Sequence, residues 1–213
     1  MERHSLTTRT RRDVLWAGLA IPAAFALAFS VSRAVRNWVP EAFAGESVRS
    51  PTPACGEADD PTPSQTEGPY YKPRSPERRS LLDPGIAGTP IVLTGIALSR
   101  RCQPIAGALV DFWQADDAGK YDNRGYRLRG HQFTDAAGRY RLESVVPGLY
   151  PGRTRHIHVK VQAPNRPILT TQLYFPGEPR NRTDRIFKAD LLLAVQDTAD
   201  GKSATFDFIL DMA

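Results

Sequence analysis

Apolar and polar residues alternate along much of the second half of the chain, which predicts short β-strands. In HIHVKV, residues 156–161, an isoleucine and two valines alternate with two histidines and Lys160. Successive side chains of a strand point to opposite faces, so the apolar residues would pack into a core while both histidines project from the other face. Two imidazoles on one face indicate either a metal site or polar residues on a solvent-exposed surface.

Similar runs, separated by turn residues, lie on both sides of this strand. We expect further strands at residues 90–98, 107–115, 138–145, 169–175 and 203–210, the last preceded by an Asp200-Gly201 hairpin turn. Residues 183–196 fit one helical turn or a strand equally well. Short strands at this spacing predict an all-β fold, a β-sandwich core with long loops, preceded by an extended N-terminal arm.

The first 44 residues have the composition of a targeting segment. They contain six arginines and three acidic residues, and the pair Arg11-Arg12 precedes an uncharged run from Val14 to Val31. This pattern resembles a twin-arginine export signal, with AFA at residues 42–44 as a candidate cleavage site. We therefore expect export to the periplasm or the extracellular space and no stable membrane span after processing. The apolar run is just long enough to cross a bilayer, so an uncleaved leader would anchor the protein.

Residues 45–87 are rich in proline, serine and acidic residues, and predict an arm and linker ahead of a β-sandwich domain at residues 88–213. Cys55 lies in this arm and Cys102 in the domain, and an oxidising compartment favours a disulfide between them over two buried thiols. Outside the first 44 residues the chain has 22 basic and 20 acidic residues. The net charge of +5 therefore belongs partly to the leader, and does not indicate nucleic-acid binding.

Two tyrosines accompany the histidine pair. Tyr150 lies six residues before His156, and Tyr121 follows a predicted strand. Phenolate is a hard anionic donor, so two phenolates with two imidazoles favour a ferric ion over zinc. An unperturbed phenol titrates near pH 10, so only a strong Lewis acid would keep it deprotonated at neutral pH.

Segments in this region and upstream of it resemble the intradiol ring-cleavage dioxygenases, the family of protocatechuate and catechol dioxygenases. The matching segments are TEGPYY (66–71), GALVDFWQADDAGKYDN (107–123), LRGHQFTDAAGRYRLESVVPGLYPGRTRHIHVKV (128–161) and LTTQLYFPGEP (169–179). The resemblance is to short, exported, single-domain members and covers roughly residues 60–213. It implies a β-sandwich fold and four ligands to non-haem Fe(III), namely Tyr121, Tyr150, His156 and His158.

The resemblance also implies a reaction and roles for further residues. Catechol-type rings would be cleaved by O2 between the two hydroxylated carbons, giving muconate-type diacids. Tyr150 would leave the metal and accept a proton, Arg153 would stabilise charge on the substrate, and Gln172 would orient bound intermediates. Tyr70 and Tyr71 would line the substrate mouth, with a packed turn as the alternative.

Two other functions remain open from the residues alone. One is an exported, non-catalytic β-sandwich that binds carbohydrate or protein, and the other is a zinc- or copper-binding protein that uses the two histidines of the HIH strand. The catechol derivative that would be used and the formation of a homo-oligomer are not determined by the sequence.

Overall fold

The computed structural model describes residues 60–212, which form nine β-strands and two short 3-10 helices. The strands are β1 (Pro90–Ser99), β2 (Leu109–Trp113), β3 (Arg129–Phe133), β4 (Arg139–Val145), β5 (His156–Gln162), β6 (Leu169–Tyr174), β7 (Ala194–Thr198), β8 (Gly201–Thr205) and β9 (Phe208–Leu210). The 3-10 helices are Pro179–Arg182 and Ala189–Leu191. The predicted all-β sandwich is confirmed.

The strands form two sheets that enclose the apolar core. One sheet has the order β4-β1-β8-β7, with β9 also paired to β1, and the other has the order β3-β2-β5-β6. The core residues come from the facing sides of both sheets, and include Leu93 and Leu142 from the first sheet and Val110 and Val159 from the second, all 0% exposed. Strands with one buried and one covered or solvated side are typical of a sandwich.

The predicted last strand, residues 203–210, is in fact two strands. Between β8 and β9 the pairing with β1 is interrupted at Phe206 and Asp207, and the Asp207 carboxylate accepts a hydrogen bond from Ile96 N at 2.8 Å. The Phe206 carbonyl passes so close to Gly95 that a Cβ there would lie 1.7 Å from its oxygen. The hydrogen bond from β1 to a side chain interrupts the ladder at this point, and alternation alone does not reveal it.

Three other stretches of the chain can be compared with their predicted structures. The Asp200-Gly201 turn joins β7 to β8 as an antiparallel hairpin, as predicted. The ambiguous stretch 183–196 contains both structures, a 3-10 helix at Ala189–Leu191 followed by the start of β7. Strand β3 has the sequence RGHQF, which lacks an apolar alternation, and it was not expected.

The outer face of β5 is buried, not exposed to solvent. Its inward residues Ile157, Val159 and Val161 are 0% exposed, and on the other face His156, His158 and Lys160 are 4%, 3% and 9% exposed. The cover is the segment 60–87. Its Glu67 pairs with the Lys160 ammonium at 2.6 Å. This burial removes the interpretation of the two histidines as polar groups on a solvent-exposed surface.

The segment 60–87 is also tied to both sheets. Glu77 bridges to His131 of β3, Ser80 bridges to Glu143 of β4, and Leu81 is fully buried in the core. Within residues 60–212 there is no helix long and apolar enough to cross a membrane. The predicted leader and Cys55 lie outside the described residues.

Candidate metal centre

Three of the predicted ligands meet directly at the start of β5. The Nε2 atoms of His156 and His158 lie 3.1 Å apart, with the two rings nearly perpendicular at 77°. The hydroxyl oxygen of Tyr121 lies 3.3 Å from His156 Nε2. The period of two along β5 puts both imidazoles on one side, and the loop after β2 brings the phenol to them. Three donor atoms therefore converge on one small volume.

The two imidazoles are oriented by different contacts. His156 Nδ1 lies 2.6 Å from the Thr154 carbonyl oxygen, so it carries the proton and leaves Nε2 free to donate its lone pair. His158 Nδ1 has no hydrogen-bond partner within residues 60–212. Its ring instead stacks on Trp113, with ring centroids 4.8 Å apart and planes 8° from parallel. On strand β2, Trp113 is the residue directly opposite His158.

Burial keeps both histidines neutral. It lowers the pKa of His156 to about 4. It also lowers the pKa of His158 well below the ordinary value, and the nearby charges of His156, Arg153 and Arg129 act in the same direction. Neutral imidazole is the form that binds metals. The pair is therefore ready to act as ligands at neutral pH.

Tyr121 and Tyr150 are joined by a third tyrosine, Tyr70. The rings of Tyr70 and Tyr121 stack with centroids 4.6 Å apart and an interplanar angle of 18°. The hydroxyls of Tyr70 and Tyr150 lie 2.7 Å apart, and the Tyr150 ring is edge-on to Tyr121 at 5.8 Å. Burial raises the pKa of Tyr121 above its ordinary value, although Arg153 and Arg129 act to lower it. Tyr121 would therefore be a neutral phenol at pH 7 unless a cation holds its phenolate.

Arg153 and Gln172 lie together beside this cluster. Arg153 Nη2 donates to Gln172 Oε1 at 2.6 Å, and Gln172 Nε2 donates to the Thr66 carbonyl at 2.8 Å. Gln172 is directly opposite His158 on β6. The six residues expected at the site, Tyr121, Tyr150, Arg153, His156, His158 and Gln172, are thus brought into one region. Their roles as ligands and catalytic groups stay predictions.

Asp184 is a component of the site that was not expected. Its Oδ2 accepts hydrogen bonds from Arg153 Nε at 2.8 Å and from Thr154 N at 2.9 Å, and its Oδ1 accepts one from Ile186 N. Burial acts to raise the pKa of Asp184, but these hydrogen bonds outweigh it, and the pKa lies below its ordinary value. Asp184 follows Arg153 by 31 residues, and spacing along the chain gives no sign of the contact.

The other residues considered from the sequence have clear positions. Tyr71 packs against Trp113, with ring centroids 4.9 Å apart, and its hydroxyl lies 3.4 Å from Asp111 Oδ2. Tyr70 and Tyr71 both border an open surface pocket of about 370 Å³ that also includes Lys72 and Asn123. Of the two, Tyr70 contacts the phenol cluster. Their predicted role in lining the substrate mouth stays a prediction.

Comparison with known proteins gives a consistent picture. The family model described as "Dioxygenase" matches residues 66–212. The chain is 35% identical over 119 residues to the protocatechuate 3,4-dioxygenase beta chain of Burkholderia cepacia, covering 47% of this chain and 51% of that protein. It is 33% identical over 144 residues to catechol 1,2-dioxygenase 2 of Acinetobacter lwoffii, covering 55% and 52%. The chain spans about half the length of these curated relatives.

A solved structure matches over its whole length. It is the dioxygenase domain of a dioxygenase–carbohydrate-binding protein fusion from the cellulolytic bacterium Streptomyces sp. SirexAA-E. The identity is 58% and the TM-score 0.71, over 72% of this chain and 100% of that one. The similarity thus includes both the sequence and the fold.

Proposed function

The chain belongs to the intradiol ring-cleavage dioxygenase family, and on this basis we propose that it is a non-haem Fe(III) enzyme that cleaves catechol-type rings with O2 between the hydroxylated carbons. The products would be muconate-type diacids. The observation that carries the proposal is the convergence of Tyr121, His156 and His158. The Nε2 atom of His156 lies 3.1 Å from His158 Nε2 and 3.3 Å from the Tyr121 hydroxyl oxygen.

The residues present fit a ferric ion. Metal-bound imidazole nitrogens lie about 2.0–2.1 Å from the ion, so two that share one ion are about 3–3.4 Å apart. The two Nε2 atoms lie 3.1 Å apart. The imidazoles are neutral, and the phenols are the hard anionic donors that a trivalent ion prefers. Fe(III) held by Tyr121, Tyr150, His156 and His158 would supply Lewis-acid activation of a chelated catechol toward O2.

The chain's own groups would manage the protons of the substrate. The Tyr150 oxygen would accept a proton from one catechol hydroxyl. Tyr150 is more exposed than the buried His156 and His158, so substrate could approach its oxygen. The Tyr70 hydroxyl, 2.7 Å away, would then hold the neutral Tyr150 phenol by a hydrogen bond. Tyr150 is half-buried, and its hydroxyl already lies at hydrogen-bond distance from that of Tyr70.

Arg153 and Gln172 would orient the substrate and stabilise its charge. The Arg153 guanidinium is fixed by Asp184 on one side and by Gln172 on the other, so its positive charge is held beside the cluster before substrate binds. A charge placed in advance stabilises developing negative charge without a cost of reorganisation. The Gln172 amide, fixed to Thr66, would position substrate oxygens by hydrogen bonding.

The test is to load the purified chain with iron and record its metal content, visible absorption and O2 uptake with catechol, protocatechuate and hydroxyquinol. We expect bound iron, a tyrosinate-to-iron absorption band, and O2 uptake with at least one of these compounds. Tyr121→Phe and His156→Ala should each remove most of the band and the activity. Tyr126→Phe is the matched control, because its hydroxyl donates to the Pro73 carbonyl and should leave both unchanged.

The same measurements separate the alternative functions. A protein that stays colourless and iron-free after loading would contradict the proposal. Bound zinc or copper without O2 uptake would favour a metal-binding protein that uses the two histidines. A metal-free protein would favour a non-catalytic binding module.

A further inference from the structure

One of the largest fully buried side chains is charged. Arg129 lies on β3, opposite Trp113 of β2, and is 1% exposed. Within residues 60–212 it forms no salt bridge with a carboxylate: all three hydrogen bonds of its guanidinium go to main-chain carbonyls. Removing a guanidinium from water is costly when no carboxylate is paired with it, so an apolar side chain would pack here at lower cost. The position of the charge therefore calls for another explanation.

The three hydrogen bonds join two loops that are far apart in the sequence. Arg129 Nη1 donates to the Tyr70 carbonyl at 2.6 Å, while Nε and Nη2 donate to the Asp122 carbonyl at 3.1 and 3.0 Å. Tyr70 is one partner of the stacked phenol pair, and Asp122 directly follows the other, Tyr121. The guanidinium thus connects the main chains of the two loops at the point where their rings stack, 4.6 Å apart.

The loop after Tyr121 is held by its own hydrogen bonds, so Arg129 joins the Tyr70 loop to a main chain that is itself fixed. The Asp122 carboxylate accepts hydrogen bonds from the main-chain N–H groups of Arg124, Gly125 and Arg127 at 2.8 to 3.0 Å. These bonds close a turn directly after Tyr121. Arg129 hydrogen-bonds both to this closed turn and to the Tyr70 carbonyl, and it therefore fixes the position of Tyr70 relative to Tyr121.

We propose that Arg129 is a positioning residue for the phenol side of the metal centre. It holds Tyr70 against Tyr121, and through Tyr70 it sets the location of the hydroxyl that contacts Tyr150. It also places a permanent positive charge next to the phenols. This inference rests on the proposed function, since its consequence is the geometry of two tyrosine ligands.

Arg129→Lys in the iron-loaded full chain tests this proposal. The substitution keeps the charge, but a single ammonium cannot reproduce the planar fork that reaches two loops at once. We expect retained folding and iron content, a shifted or broadened tyrosinate-to-iron band, and a 10- to 100-fold lower kcat, the range typical of groups that orient metal ligands. A Lys variant with the wild-type band and kcat would overturn the proposal.

Arg78→Lys is the matched control. Arg78 also ties loops together, donating to the carbonyls of Tyr126 and Arg129 and to the Asp83 carboxylate, but it does not contact the Tyr70 or Tyr121 main chain. We expect a lower Tm with an unchanged band and kcat. If Arg78→Lys changes the band as much as Arg129→Lys does, the effect is general loosening of the fold and the proposal fails.

A double-mutant cycle with Tyr70→Phe separates positioning from mere stability. If Arg129 acts through Tyr70, the effects of Arg129→Lys and Tyr70→Phe on kcat should be less than multiplicative, because they disturb the same geometry. Fully multiplicative effects would overturn the proposal. Should Arg129→Lys not fold, Arg129→Gln, which retains a donor amide, is measured against the same criteria.

The outcomes distinguish this inference from the proposed function. A wild-type protein that binds iron without a tyrosinate band would end the proposed function, whatever the variants do. A wild-type band that Arg129→Lys leaves unchanged would end only the role of Arg129.

Discussion

His156 and His158 reach the same point in the molecule by different physical means. Their common face follows from the period of two along a strand, and this could be predicted from the sequence. The carbonyl of Thr154 orients His156, while the indole of Trp113 and the main chain of Gly68 confine His158. The second pair of contacts comes from other strands and loops, so no local pattern predicts it. Trp113 is buried like a core residue, but one of its faces packs against a predicted ligand.

At the residue scale, Asp184→Asn should weaken both stability and catalysis. The carboxylate lies between Arg153 and the Thr154 amide, and its side chain is 3% exposed. Loss of hydrogen bonds to a charged group costs about 1.5–3 kcal/mol, so we expect a lower free energy of unfolding at pH 7. Because Arg153 would lose its fixed position, kcat/KM should fall about tenfold or more. Urea unfolding and steady-state kinetics measure the two effects.

The pH dependence of the same variant has a definite sign. The pKa of Asp184 lies below its ordinary value, so the carboxylate stabilises the fold above about pH 4, and this contribution is lost as the pH falls through the folded-state pKa. Asp184→Asn should therefore lose less stability than the wild type as the pH falls below about 4. Asp197→Asn, which removes an exposed partner of Lys202, is the control and should follow the wild type. Parallel curves for Asp184→Asn and the wild type would refute this prediction.

At the scale of elements, alternation predicted the strands that have one apolar face and missed the features set by partners. Strand β5 was predicted because Ile157, Val159 and Val161 face the core. Strand β3 was not, since its RGHQF sequence is held by pairing with β2 and by the arm above it. The break between β8 and β9 also depends on a partner, because Ile96 of β1 donates there to the Asp207 side chain.

A glycine in the segment over β5 provides a test at this scale. Gly68 has φ +73°, and a Cβ at this position would lie 3.3 Å from His158 Cε1. Gly68→Ala should therefore strain the backbone and press on the ligand ring, lowering iron affinity about tenfold or more, as for other changes next to metal ligands. Competition with a chelator, monitored at the visible band, measures this affinity.

Gly85→Ala is the matched control for the backbone strain alone. Gly85 has φ +75°, and a Cβ there would meet nothing within 4 Å. Both substitutions should cost about 1–2 kcal/mol in folding stability, because an L-residue is strained in the left-handed region. Only Gly68→Ala should change iron affinity. Equal iron affinities for the two variants would show that Gly68 does not constrain His158.

At the scale of the whole molecule, the sequence predicted the sandwich, and the resemblance indicated the site residues, including Tyr70 and Tyr71. Neither predicted that the segment 60–87 also contributes to the core. Its proline and polar content suggested an arm, whereas Leu81 enters the core and Tyr70 joins the phenol cluster. Contacts of this kind join residues that are far apart in the chain, such as the 80 residues between Tyr70 and Tyr150. Export through the twin-arginine leader remains a proposal, and the leader lies outside the described residues.

The disulfide between Cys55 and Cys102 is a prediction that depends on export of the protein to an oxidising compartment. Cys102 lies in the turn after β1, where Arg100 N donates to the Met212 carbonyl, and Thr62 N donates to the Ile209 carbonyl nearby. The turn and the start of the described chain thus contact the same C-terminal segment, residues 209–212. Seven residues lead from Cys55 to Thr62, and a stretch of this length can span up to about 23–25 Å.

A disulfide closing a loop of this size should contribute about 2–4 kcal/mol to folding stability. Protein from an oxidising compartment should therefore yield a linked Cys55–Cys102 peptide on digestion under non-reducing conditions. Reductant should lower the Tm of the wild type and leave that of Cys102→Ser unchanged, since the variant has no bridge to lose. Alkylation of both cysteines in unreduced, denatured protein would refute the bridge. The predicted iron site should be affected little in either case, because Cys102 follows β1 of one sheet, whereas His156 and His158 lie on β5 of the other.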